Sequence, residues 1–94
     1  MTGQAYHTDE AIEERRKARS CRQLAGLAAA MMRYQPASYA AWVQAIADVM
    51  AMNPYTKDNG VPLVDRAEKA LGHAIRRGYV TQTHEGWRFT WRQE

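Results

Sequence analysis

Ninety-four residues, 46% of them hydrophobic and 24% charged, are enough for one folded domain and too few for two separate cores. This balance excludes a disordered chain, and 13 Lys and Arg against 10 Asp and Glu leave a net charge of +3 that favours an anionic partner. A single cysteine, Cys21, excludes an intrachain disulfide framework and a cysteine-based zinc site.

Residues 1–7 are short and polar, and residues 1–8 read as a disordered N-terminus. They lack a basic stretch followed by an apolar run, so no secretory signal is expected. No apolar run approaches the ~20 residues of a membrane helix, so the expected setting is the cytoplasm, away from a membrane.

A long helix is predicted within residues 9–35, capped by Thr8 or Asp9 and running to Tyr34. Asp9 and Glu10 suit the positive end of its dipole. Its first half is a charged surface interrupted by Ile12 and Ala18, with Glu13 and Lys17 spaced for an ion pair. From Cys21 onward, Cys21, Leu24, Leu27, Ala28 and Met31 recur at helical spacing and predict a packing face. The second half is therefore expected to pack and the first to project. Arg15, Arg16, Lys17, Arg19 and Arg22 make a basic run, of which Arg15, Arg19 and Arg22 form one stripe on the face opposite Leu24, Ala28 and Met31. As a plain surface it is solvated and balanced by Glu10, Glu13 and Glu14; as a functional one it tracks phosphates or docks on an acidic partner. A helix this long, rich in Ala and Met, is also a route to a homodimer.

Pro36 separates this helix from the next, which Ser38 is placed to cap. Tyr39, Trp42, Val43, Ile46 and Met50 then form an amphipathic stripe, widened by Val49 and Met52. Asn53-Pro54 ends the helix, and residues 55–60 read as a loop with a turn at Asn59-Gly60. Pro62 suits the first turn of a third helix, whose apolar face is Val64, Ala67, Leu71, Ala74 and Ile75. Gly78 stands where the helix end requires positive φ, with Arg76 and Arg77 in the last turn. Residues 79–83 and 87–91 read as paired strands around His84-Glu85-Gly86. Trp87, Phe89 and Trp91 share one face, and Arg88, Thr90 and Arg92 share the other. The predicted class is mostly α with a small β-hairpin.

Opposite the apolar stripe of the third helix lie Arg66, Lys69, Ala70, His73, Arg76 and Arg77. Cationic side chains on a helix reach phosphates and guanine edges in a major groove; the plain alternative is a solvated face, with Asp65 pairing with Lys69. Trp87, beside the turn, either stacks on a base or clamps across the hairpin, while Phe89 and Trp91 read as core. The run from Val64 to Val80 (VDRAEKALGHAIRRGYV) resembles the recognition helix of winged helix-turn-helix proteins. The segment from Thr83 to Thr90 (THEGWRFT) resembles the wing and its returning strand.

The resemblance implies a winged-helix domain over residues 36–94, preceded by the long helix, with three helices in all. It implies a DNA-reading third helix using Arg66, Lys69 and His73, with Arg88 as a wing contact. Arg76, Arg77, Trp87 and Arg92 complete the predicted nucleic-acid surface. The expected function is binding of double-stranded DNA, in a small regulator or accessory factor of transcription, replication or recombination. The alternative is a protein-interaction module, an adaptor or inhibitor, docking through Arg15, Arg19, Arg22 and Tyr55, since fold alone does not settle function. RNA binding is a lesser rival.

Catalytic signatures are missing from the sequence. His7, His73 and His84 stand at no metal-ligand spacing from one another or from Cys21, and no HExxH, CxxC or Gly-rich phosphate loop occurs. The surface acids lack an apolar pocket to shift them, and Cys21 reads as a small core residue. A non-enzyme without metal or cofactor is expected.

Overall fold

The computed structural model of the chain describes residues 9–33, 35–54, 56 and 59–90. Three helices and one hairpin follow in the order α1 (Asp9–Met31), α2 (Tyr39–Met52), α3 (Leu63–Arg76), β1 (Val80–Thr83) and β2 (Gly86–Phe89). The predicted cap at Thr8, the N-terminal stretch 1–8, Tyr34, Tyr55, Trp91 and Arg92 lie outside the described residues. Helix α1 ends at Met31, with Met32 and Arg33 already outside it, short of the predicted run to Tyr34.

Helix α1 opens on Asp9 and Glu10 and packs through Cys21, Ala25, Ala28 and Ala29. This corrects the predicted stripe, because Leu27 and Met31 are each 48% exposed. Small side chains let neighbouring backbones approach closely, so the seam follows the alanines and leaves the larger side chains on its flank. The first half also does not project freely. Glu14 accepts a hydrogen bond from Arg77 at 3.0 Å, and the Cys21 thiol donates to the Ala70 carbonyl at 3.0 Å. These two ties run α1 antiparallel beside α3. Glu13 meets Arg16 at 3.8 Å instead of the predicted Lys17.

Ser38 caps α2 as predicted, its hydroxyl accepting from the Ala41 N–H at 3.1 Å. Trp42, Val43, Ile46 and Val49 are buried with Ala45 and Ala47, whereas Tyr39 and Met52 sit on exposed margins. The helix closes at Asn53, and the Thr56 hydroxyl takes up the Met50 carbonyl at 2.8 Å. Pro62 is the N-cap of α3, one position before the predicted first turn. Ala67, Leu71 and Ala74 are buried, but Val64 is 49% exposed and Ile75 half-buried. At the far end Gly78 has φ +81°, its N–H bonds to the Ile75 carbonyl and the Tyr79 N–H to that of Ala74. That pair of bonds is a Schellman ending, which turns the chain directly into the hairpin.

The strands pair Val80 with Phe89, Thr81 with Arg88, Gln82 with Trp87 and Thr83 with Gly86. The turn is the two residues His84 and Glu85, tighter than predicted, with Gly86 drawn into β2. Val80 and Phe89 close the core under α1 and α3, while Thr81 and Arg88 face outward. A clasp joins β2 to the α1–α2 link. Ala37 and Trp87 exchange two main-chain hydrogen bonds (3.0 and 2.8 Å), and the buried Trp42 indole donates to the Trp87 carbonyl at 2.8 Å. Gln35 spans the same junction, donating to the Ala29 carbonyl and accepting from the Phe89 N–H, each at 3.1 Å.

Candidate nucleic-acid interface

The burial of Ala67, Leu71 and Ala74 fixes how α3 is turned, and so where its cations stand. Lys69 and Arg76 are exposed, directly away from the core. Arg66, His73 and Arg77 sit on the flank toward α1 and are partly covered. The five predicted contacts on α3 therefore split into an outward pair and an inward-leaning three.

Between α1 and α3 lies an open groove of about 630 Å³. Arg16 and Lys17 stand on its α1 bank, and Arg66, Lys69 and His73 on its α3 bank. Glu13 and Asp65 supply the opposing charge, and Cys21 and Ala70 lie on its floor. Burial pushes the Cys21 thiol above its usual range, against the pull of Arg77 and Arg76, which keeps it protonated as a donor.

His73 is the electrostatic centre of this surface. The Arg76 guanidinium lies 2.9 Å from its Nδ1. Arginine is always the donor, so Nδ1 accepts and the neutral ring carries its proton on Nε2. Partial burial holds the His73 pKa below its ordinary value, and the positive charges of Arg76, Arg77, Lys17 and Lys69 lower it further. Arg77 is partly engaged already, through its bond to Glu14.

The hairpin contributes less than its aromatic content suggests. Arg88 is exposed on the outer face, as predicted. Trp87 is half-buried, its ring edge-on to Tyr39 with centroids 6.3 Å apart. Its main chain belongs to the clasp with Ala37 and Trp42. The geometry is that of a residue anchoring β2, not of a wedge presented to a groove. On α1, Arg15 and Arg19 are exposed, and the Arg22 guanidinium lies 6.0 Å from the Tyr79 ring centre.

Arg16 and Lys17 belong to the basic run that the sequence marks on α1, but their placement opposite the cations of α3 carries no sequence signal, because it exists only once α3 lies alongside. Gln35 and Ala37 escaped it too, since an isolated pair of residues between helices carries no periodic signal. Among the described residues, no group of three or more His, Cys, Asp or Glu is gathered as for a metal ion. None of the described helices is long and apolar enough to cross a membrane. Compared with known proteins, the chain matches no family model, no curated sequence and no solved structure.

Proposed function

We propose that this protein is a winged-helix DNA-binding protein without catalytic activity, a small regulator or accessory factor of transcription, replication or recombination. The observation that carries this reading is the basic surface of α3 outside its buried Ala67, Leu71 and Ala74: Lys69 and Arg76 are exposed, and Arg66, His73 and Arg77 are partly covered on the flank toward α1. The chain order supports it: helix, helix, basic helix, then a hairpin entered straight from Gly78. In this reading α3 enters the major groove, its cations neutralise phosphates and reach guanine edges, and Arg88 holds flanking backbone. The work is positioning, not bond chemistry. The test is a fluorescence-anisotropy titration against a random-sequence duplex from low to moderate salt. Steeply salt-weakened binding supports the reading, and Arg66→Ala and Lys69→Ala each reduce it. Lack of binding at low salt overturns it.

A second reading, a protein-interaction surface used for homodimerisation, draws on a different face. A cleft of about 790 Å³ between α1 and α2 is lined by Leu24, Leu27, Met31, Val49 and Met52. Leu27 and Met31 are each 48% exposed and Met52 is 63% exposed, a grouping of large apolar side chains that self-association would cover. Sedimentation velocity of the wild type and Leu27→Asp tests it: a dimer that the substitution dissociates is the expected result, and a wild-type monomer at high concentration excludes it.

A further inference from the structure

The basic run of α1 and the basic face of α3 are far apart in sequence, yet they form the two banks of one groove. Lys17 stands within electrostatic reach of His73, as Lys69 does from the other helix. Neither lysine forms an ion pair among the described residues, whereas Arg16 is matched by Glu13 and Arg77 by Glu14. The groove lining carries Arg16, Lys17, Arg66 and Lys69 against the carboxylates of Glu13 on α1 and Asp65 on α3, which leaves it net positive even with His73 neutral. Like charges from two helices are held together here, along a channel open to solvent at its top.

We propose that this groove seats one phosphodiester strand of duplex DNA, with α3 inside the major groove, α1 outside it, and the bordering backbone lying between Lys17 and Lys69. The proposal rests on the nucleic-acid reading above and extends it: α1 becomes half of the interface and not a separate docking arm. The charge pattern fits a polyanion with regularly repeated phosphates, because the cations lie on both banks along the groove instead of converging on one point. A strand held in this way is gripped through its backbone, so the grip does not depend on base sequence. A phosphate placed there also stabilises the imidazolium form of His73 against the repulsion of Arg16, Lys17, Lys69, Arg76 and Arg77 and the loss of the Nδ1 bond from Arg76. It adds to the pull of Glu13 and Asp65 in the groove, with Glu14 already taken up by Arg77. Binding therefore strengthens as pH falls through the histidine range.

The experiment measures affinity for fluorescein-labelled duplex DNA of several unrelated sequences, across a salt series, for the full chain and four variants. Lys17→Ala and Lys69→Ala each remove one proposed backbone contact. At about 0.1 M salt each is expected to weaken binding about eightfold on every sequence and to reduce the salt slope by about one. Arg33→Ala removes the same charge from an exposed position beyond the groove and is expected to leave both quantities at the wild-type value. His73→Gln is expected to abolish the strengthening at lower pH. If the wild type binds and Lys69→Ala weakens it, but Lys17→Ala behaves as Arg33→Ala does, the two-banked groove is wrong while the DNA reading stands. Absence of wild-type binding at low salt overturns both.

Discussion

Gly86 carries the attachment of the hairpin to the rest of the molecule. Its φ is +141°, and a Cβ there would lie 2.8 Å from the Ala37 carbonyl oxygen, the acceptor of the Trp87 N–H. Gly86→Ala must strain the backbone and push the clasp apart together, a loss of about 1–3 kcal/mol from the backbone strain with the displaced bonds in addition. Gly78 also has positive φ, +81°, but nothing stands within 4 Å of its missing Cβ. Gly78→Ala is therefore expected to cost less, about 1–2 kcal/mol. Urea denaturation of the two variants gives the order directly, and a Gly78 variant less stable than the Gly86 one contradicts it. His73 sets a pH dependence at the same scale. Its pKa is lower in the folded chain than the ordinary value of 6.5, so between the two values the unfolded state binds more protons. The contribution of His73 is fully present above pH about 6.5 and is lost as pH falls through the lowered folded value. The expected outcome is that His73→Gln flattens that part of the stability–pH curve; an unchanged slope assigns it to other groups.

Each helix is built from local signals, but its orientation answers to its neighbours. Helix α3 follows the sequence expectation at Ala67, Leu71 and Ala74, the Gly78 stop and the terminal arginines, which act within a few residues of one another, and departs from it at Val64, which is 49% exposed. In α1 the expected stripe holds at Cys21 and Ala28, which are buried, and at Leu24, which packs against the core, and fails at Leu27 and Met31. Residues 28–30 are three consecutive alanines, which carry no phase, and Leu27 and Met31 draw the expected stripe toward what is the exposed flank. Contact with α2 and α3 instead rewards the smallest side chains: Ala25 and Ala28 have no exposed surface. Substituting Ala28→Leu is expected to overpack this seam and cost about 1–3 kcal/mol, while Leu27→Ala, on the exposed flank, costs less than about 1 kcal/mol. Chemical denaturation compares the pair, and the reverse order would return the seam to the leucine flank. The Glu14–Arg77 bridge guides α1 along α3 without weighing heavily on stability: both side chains reach solvent, so the pair contributes about 0–1 kcal/mol.

The whole molecule has a small core, with Trp42, Ile46, Leu71 and Val80 as its largest fully buried side chains, and much of its surface chemistry is basic. If Lys17, Lys69, Arg76 and Arg88 together neutralise about four phosphates, a fourfold rise in salt is expected to weaken DNA binding by about two orders of magnitude. A slope near zero in the anisotropy titration would exclude phosphate-led binding altogether. The sequence by itself determined three helices and a hairpin, the Ser38 cap, the Gly78 ending and the exposure of Lys69 and Arg76 on α3. Those features depend on hydrogen bonds and side-chain spacing within a turn or two of chain, where composition is sufficient information. Only the tertiary structure decided which side of α1 is buried, that Trp87 is a clasp through Ala37 and Trp42, and that Lys17 and Lys69 share a groove. Those depend on how closely two backbones can approach and on pairings between residues tens of positions apart, and no local periodicity encodes either.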